Sequence, residues 1–334
     1  MGLPPNHNGA TDPDPGSSWE SLPRHKDEDQ VQLDVNRAFI YYPNNQSPSQ
    51  LAEQKAFLSA LIISLLRTHP YLCYFQGYHD IAQVLLLLLP APLQLPCLTR
   101  LSLFHIRDFM LPSLSPAITQ LRLIPSILRA ADPALWRHLS ATEPFFALSG
   151  TLTMYAHDIT TLGEITRLFD VLLARAPPFT LYLFAAIVCS RRAELFDTPP
   201  DEPEMLHSIL SKLPAPLDLE ALIAQAAALE ARFPPDTLPA WRGVSRWSVL
   251  KTPGSGEDVE QGRVWFEKQV AELRWEEKKG QVRKWVWTHR RPVRAVGVAV
   301  LVAVVAVLLR KGQVPAPVVV GMGYLSRFLG KWWR

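Results

Sequence analysis

Proline punctuates nearly every junction between the elements this chain can build. It accounts for 30 of the 334 residues, and between residues 30 and 192 it falls at the ends of runs dense in Leu, Ile and Phe. A proline has no amide hydrogen and biases the residue before it away from the helical region, so each run becomes one short element. Within the runs, apolar residues recur at helical spacing. There is no sustained alternation of the kind a half-buried strand shows, and no Asn-Gly hairpin turn. The fold class this predicts is all-α, a compact array of short helices. No repeat of fixed period is visible, which argues against a solenoid. A hydrophobic content of 48% with 19% charged residues excludes a chain that stays unfolded throughout.

The clearest helix start is Ser47-Pro48-Ser49-Gln50: a capping serine, proline at the first helical position and glutamine at the third. Leu51, Phe57, Leu58, Leu61, Ile62 and Leu65 then form one apolar face, and Pro70 ends the helix at Thr68–His69. A second helix is predicted over Tyr78–Leu89, stopped by Pro90. Further ones are predicted near Cys97–Phe109, Ser115–Ala130, Pro133–Ser140, Phe145–Met154, Ile165–Ala174, Thr180–Glu194, Met205–Lys212 and Leu217–Arg232.

Charge is unevenly divided. Residues 1–259 hold 19 Lys/Arg against 26 Asp/Glu, and residues 260–334 hold 15 against 5, so a net charge of +3 conceals an acidic body and a basic tail. Such a tail suits an anionic surface, either membrane or nucleic acid. Six of the ten tryptophans also lie there. Within the tail, Ala295–Leu309 carries no charged or strongly polar side chain. Its fifteen residues would span roughly 22 Å as a helix, short of the ~30 Å hydrocarbon core. Arg290, Arg291 and Arg294 precede it and Arg310 and Lys311 follow, and cationic side chains that snorkel extend the effective span. Trp285, Trp287, Trp332 and Trp333 lie beyond those flanks, as interfacial aromatics do. A C-terminal transmembrane anchor is therefore expected. The heavier basic load on its N-terminal side keeps the preceding residues cytosolic, and a short span suits the thin endoplasmic reticulum bilayer. Because the charges bracket an apolar span, nucleic acid is not an expected partner. The first 30 residues are polar and Pro-rich, without the apolar core of a secretory leader.

Three cysteines, Cys73, Cys97 and Cys189, have neither disulfide nor metal-ligand spacing and read as buried free thiols. No Walker loop, HExxH, CxxC or GxSxG is present, and the nine histidines form no ligand-like pair. Two segments carry other chemistry. In Val31-Gln32-Leu33-Asp34-Val35-Asn36-Arg37, a helix makes Asp34 and Arg37 neighbours at i, i+3, so the carboxylate can orient the guanidinium. Tyr74-Phe75-Gln76-Gly77-Tyr78-His79-Asp80 lies between two apolar helices, so Gln76 sits on a loop where Gly77 permits close backbone approach. An oriented arginine and a loop glutamine suit GTP hydrolysis, where Arg neutralises transition-state charge and Gln orients the attacking water. The same residues also fit a helix-surface ion pair beside a turn.

These segments resemble the signatures of the TBC domain, the all-helical activating module for Rab GTPases. Val31, Asp34 and Arg37 resemble its I-x-x-D-x-x-R motif, with Val for Ile. Tyr74, Gln76 and Gly77 resemble Y-x-Q-G, with Asp80 at the polar position that commonly follows, and Arg167-Leu168-Phe169-Asp170 resembles R-L-W-D with Phe for Trp. The resemblance implies that Arg37 and Gln76 are catalytic fingers supplied in trans, with Asp34, Tyr74, Gly77 and Asp80 supporting. It implies a GTP-bound Rab-family GTPase as partner, which itself carries the GTP and Mg²⁺, so the chain needs no cofactor of its own and is an activator and not itself a hydrolase. With the tail, it implies the ER-anchored branch acting in ER-to-Golgi traffic. The alternative is an inactive, membrane-anchored Rab-binding adaptor, since only about 30 polar residues, with Trp19 as the lone anchor, precede the Arg motif. The expected organisation is an irregular N-terminus (1–29), a TBC-like Rab-activating domain (30–245), a linker (246–259), a basic amphipathic helix (260–291), a transmembrane anchor (292–311) and a short tail (312–334).

Overall fold

The computed structural model describes residues 19–43, 46–252 and 258–289. Among these, all regular structure is helical: α1 (Glu28–Val35), α2 (Pro48–Thr68), α3 (Tyr78–Leu88), α4 (Ala91–Phe104), α5 (Ser115–Leu121), α6 (Leu123–Ala131), α7 (Pro133–His138), α8 (Leu148–Leu152), α9 (Leu162–Ala174), α10 (Phe179–Ser190), α11 (Arg192–Phe196), α12 (Pro203–Leu210), α13 (Leu219–Arg232) and α14 (Val259–Thr288). The predicted transmembrane anchor at 292–311 and the tail at 312–334 lie outside the described residues, within which no helix is long and apolar enough to cross a membrane.

The start of α2 is built as its sequence dictates. Gln50 N donates to Ser47 Oγ at 3.3 Å and Ser47 N donates to Gln50 Oε1 at 2.9 Å, closing a reciprocal cap. Helix α10 is apolar on every side and buries all of Phe179 to Val188, the pattern of a central core helix. It packs against α6, α8 and α13, while α1 lies on α2 and α3. Two predicted helices are each divided. Residues 115–131 break at Arg122 into α5 and α6. Pro125 lacks an amide hydrogen, and its ring opposes the carbonyl four residues back, at Leu121. Residues 179–196 break at Arg191, whose Nη1 donates to Ile209 O at 2.6 Å and Lys212 O at 2.7 Å. The helix predicted over Cys97–Phe109 instead starts at Ala91, carries Pro96 inside it, and gives way to a 3₁₀ turn at Arg107–Phe109.

Two domain edges differ from expectation. Of the irregular N-terminus predicted over 1–29, residues 1–18 lie outside the described residues, and Trp19–Ser21 form a 3₁₀ turn. Arg67 holds it: Nε and Nη2 donate to the Glu28 carboxylate at 2.7 and 2.9 Å, and the guanidinium lies 5.6 Å from the Trp19 ring centroid. The linker predicted from residue 246 is packed as far as Leu250, with Ser248 and Val249 buried. There Asp108 accepts from Ser248 Oγ at 2.5 Å, Val249 N at 3.1 Å, Gln120 Nε2 at 2.6 Å and Gln269 Nε2 at 3.0 Å. Arg107, also buried, donates to Trp247 O at 2.6 Å and to Leu103 O. This buried pair makes 246–252 and the first turns of α14 part of the body. Two units are distinguished, Met1–Ala271 and Glu272–Arg334. In the second, Trp275, Val282, Trp285 and Trp287 are exposed. The three cysteines are free and half-buried, less enclosed than their apolar contexts predict.

Candidate functional site: Arg37 and Gln76 on one cleft

Asp34 lies in α1 with no exposed surface. Its Oδ1 accepts from Arg37 Nη2 at 2.7 Å and Gln30 Nε2 at 3.0 Å, and its Oδ2 accepts from Tyr74 Oη at 3.0 Å. A buried carboxylate demands this set of donors. Arg37 comes just after the helix, 63% exposed, so one nitrogen is fixed and the rest of the guanidinium faces outward. Tyr74 is placed from both ends, since its amide donates to Asp27 Oδ2 at 3.0 Å. Burial, then the neighbouring Asp34, pushes the Tyr74 phenol far above its ordinary value of 10.0, so it remains a hydrogen donor.

Gln76 is exposed on the loop before α3, and Gly77 is the helix's N-cap with φ +99°. A Cβ at Gly77 would meet Thr153 Cγ2 at 2.7 Å. Glycine is therefore required both by the left-handed backbone and by the close approach of the 153–157 segment. Asp80, in the first turn of α3, binds that segment through His157 Nδ1 at 3.0 Å. This bond raises the His157 pKa above its usual 6.5.

On the other side, Phe39 adopts φ +62° and its amide donates to Gln83 Oε1 at 2.9 Å, while Gln83 Nε2 donates to Tyr42 O at 3.3 Å. The strand of chain that follows Arg37 is thus pinned to α3, the helix that Gln76-Gly77 opens. The result is an open cleft of about 690 Å³ lined by Arg37, Gln76, Gly77, Asp80, Thr153 and His157, among others. A fixed cation and an exposed amide share one cavity, an arrangement able to stabilise developing negative charge.

The family model described as the Rab-GTPase-TBC domain matches residues 6–196. The chain belongs to the TBC family. This TBC protein is 35% identical over 263 residues to GTPase-activating protein gyp10 of Schizosaccharomyces pombe, covering 76% of this chain and 70% of that one. It is 33% identical over 231 residues to TBC1 domain family member 20 of Homo sapiens, covering 69% of this chain and 57% of the human protein. Its fold resembles the crystal structure of the Ypt/Rab-GAP domain of Gyp1p, with a TM-score of 0.51 at 17% identity over 63% of this chain and 76% of that one.

In this TBC domain the structure brings Asp34, Arg37, Tyr74, Gln76, Gly77 and Asp80 together. The third motif sits apart. Leu168 and Phe169 are core residues of α9, and Arg167 is paired with Glu220 at 2.7 Å. Among the cleft residues that the sequence reading does not single out are His79, Gln83, Thr153 and His157. The first two carried a signal, as polar residues four apart in a largely apolar helix lie on one face. Thr153 and His157 carried none.

Proposed function

We propose that this chain accelerates GTP hydrolysis by a Rab-family GTPase, with Arg37 and Gln76 as fingers supplied in trans. The observation that carries this is that the carboxylate-held Arg37 and the exposed Gln76 open on the same cleft. Arg37 inserts beside the β/γ-phosphates and neutralises charge that develops in the transition state. Gln76 orients the attacking water. Asp34 and Tyr74 hold Arg37, while Gly77 and Asp80 set the loop. GTP and Mg²⁺ arrive with the GTPase. An arginine finger is worth roughly 10³–10⁵ in rate, or about 4–7 kcal/mol. The name of the fission-yeast relative, a GTPase-activating protein, supports the same activity.

The test is a single-turnover hydrolysis assay across a Rab panel. Arg37→Ala and Gln76→Ala should each nearly abolish stimulation while leaving helix content intact. Full activity in Arg37→Ala would overturn the proposal. Retained Rab binding by a wild-type chain without stimulation would favour the adaptor.

We further propose that Ala295–Leu309 anchors the chain in an early secretory membrane, with the catalytic body cytosolic and an ER-to-Golgi Rab as substrate. The support is the uncharged run and its five flanking cations. Deleting residues 292–334 should release the protein from membranes, and pelleting that survives the deletion refutes the anchor.

A further inference from the structure

Both nitrogens of the His79 ring face oxygens. Nδ1 lies 3.4 Å from Tyr74 Oη and 4.0 Å from Asp34 Oδ2, and Nε2 lies 3.2 Å from Asp80 Oδ1. The single hydroxyl proton of Tyr74 is donated to Asp34, so its oxygen offers the ring only lone pairs. The other oxygen of Asp80 is bound by His157. A neutral imidazole has one N–H and one lone pair. It can answer one of the two acceptors and must set its lone pair against the other, whereas the imidazolium answers both.

Burial opposes that charged form, holding the His79 pKa below 6.5 against the pull of Asp80 and Asp34, with His157 and Arg37 adding repulsion. The groups facing the ring are therefore Asp34 and Arg37 from α1 and its exit, Tyr74 from the finger loop, Asp80 from its own helix and His157 from the opposite wall. The residue is only 8% exposed. It nevertheless touches the pair that holds Arg37, and it belongs to the helix that Gln76-Gly77 opens. A phosphate group entering the cleft adds negative charge, which favours the imidazolium.

We propose that His79 is a positioning residue that couples the two fingers, taking up a proton as phosphates enter the cleft and so tying the Tyr74–Asp34 pair to Asp80. This role presupposes the GTPase-activating function proposed above. It differs from a packing role because it makes the rate depend on the charge of one buried ring. At low pH the bridge is complete; as pH rises through the His79 titration the bridge opens and Arg37 and Gln76 lose their common setting.

The test uses the full chain and the Rab it stimulates best. In single-turnover assays the wild type should lose about tenfold in rate as pH rises through this titration, the scale of one hydrogen bond, with little change in KM for the Rab. His79→Gln keeps a donor but cannot titrate, and should flatten that step; His157→Gln should retain it. A step that persists in His79→Gln, or disappears only in His157→Gln, overturns the proposal. Nitrogen-15 spectra of the histidine rings give a reading that needs no activity. The His79 midpoint should move upward on binding Rab loaded with GDP and aluminium fluoride, and an unmoved midpoint overturns the proposal. If no Rab responds, the GTPase-activating function itself fails, and the bridge is judged on the free chain. There Tyr74→Phe should shift the His79 midpoint, and an unchanged midpoint overturns the bridge.

Discussion

Arg37 donates to Asp34 across 2.7 Å, yet the arginine side chain is 63% exposed and that of the aspartate has no exposed surface. A surface ion pair normally contributes little because both side chains must be ordered. Here one partner is already immobile, fixed by Gln30 and Tyr74, so only the arginine has to be placed. The pair therefore serves orientation more than stability.

Arg37→Lys retains the charge but loses the fork that lets one guanidinium hold Asp34 and still present donors outward. The stimulated rate should fall about 10²–10³-fold. Asp34→Asn leaves the finger present but unaimed and should cost roughly 10–100-fold, on the scale of a misplaced catalytic group. Rab affinity should change little in either variant. An Asp34→Asn chain as fast as wild type would show the pairing to be incidental.

Gly77→Ala meets two obstacles, the positive φ and Thr153 at 2.7 Å from the new Cβ. The backbone cost alone is about 1–2 kcal/mol, which at roughly 2–4 °C per kcal/mol lowers the melting temperature by several degrees. Stimulation should fall further than stability does, because relief of the clash moves Gln76. Thr153→Ser in the same background should recover part of both. Calorimetry alongside the hydrolysis assay decides it, and unaltered melting in Gly77→Ala contradicts the close approach.

Glu28 is held below the ordinary glutamate value of 4.5, first by the hydrogen bonds from Arg67. A carboxyl depressed on folding contributes stability that is fully present above its unfolded value and is lost as pH falls through its folded one. Acid should therefore loosen the Trp19–Glu28 segment as pH drops below about 4.5. In Arg67→Ala the segment should be loose already and respond less to acid. Hydrogen exchange of residues 19–28 between pH 3 and pH 6 measures this; equal acid sensitivity in both proteins contradicts the assignment.

Asp108 gathers four donors from three separated stretches of chain. Asp108→Ala strands those donors and leaves Arg107 without its neighbouring charge, and should destabilise by about 3–5 kcal/mol. A chain ended at residue 245 removes Ser248, Val249 and Gln269 and should be similarly weakened, whereas one ended at 271 should fold. Urea unfolding of the three proteins distinguishes them, and equal midpoints for the 245 and 271 forms would mean the hub is dispensable.

Much of the site was legible because its parts are local. Asp34 and Arg37 are one helical turn apart, and Ser47 and Gln50 form their cap within four residues. Gln76-Gly77 follows directly from the stop imposed by Pro70 and the apolar run that begins at Tyr78. The misread edges arose from long separations. Nothing near Glu28 indicates that Arg67, 39 residues away, will order it. Nor does anything near Val249 indicate Asp108, 141 residues away.

By itself the sequence determined the all-helical class, several of the places where helices stop, such as those before Pro70 and Pro90, and the local pairing of Asp34 with Arg37. Those follow from proline chemistry, from helical periodicity and from contacts at i, i+3 or i, i+4, which the backbone enforces wherever a helix forms. Only the tertiary structure decided that Tyr74 closes on Asp34, that Gln83 on α3 pins Phe39, that Thr153 walls in Gly77, and that His79 lies between two carboxylates. Those meetings depend on how helices stack. Many side-chain patterns allow many stackings, and the one adopted is selected by the packing of the whole core, which no short window of residues contains.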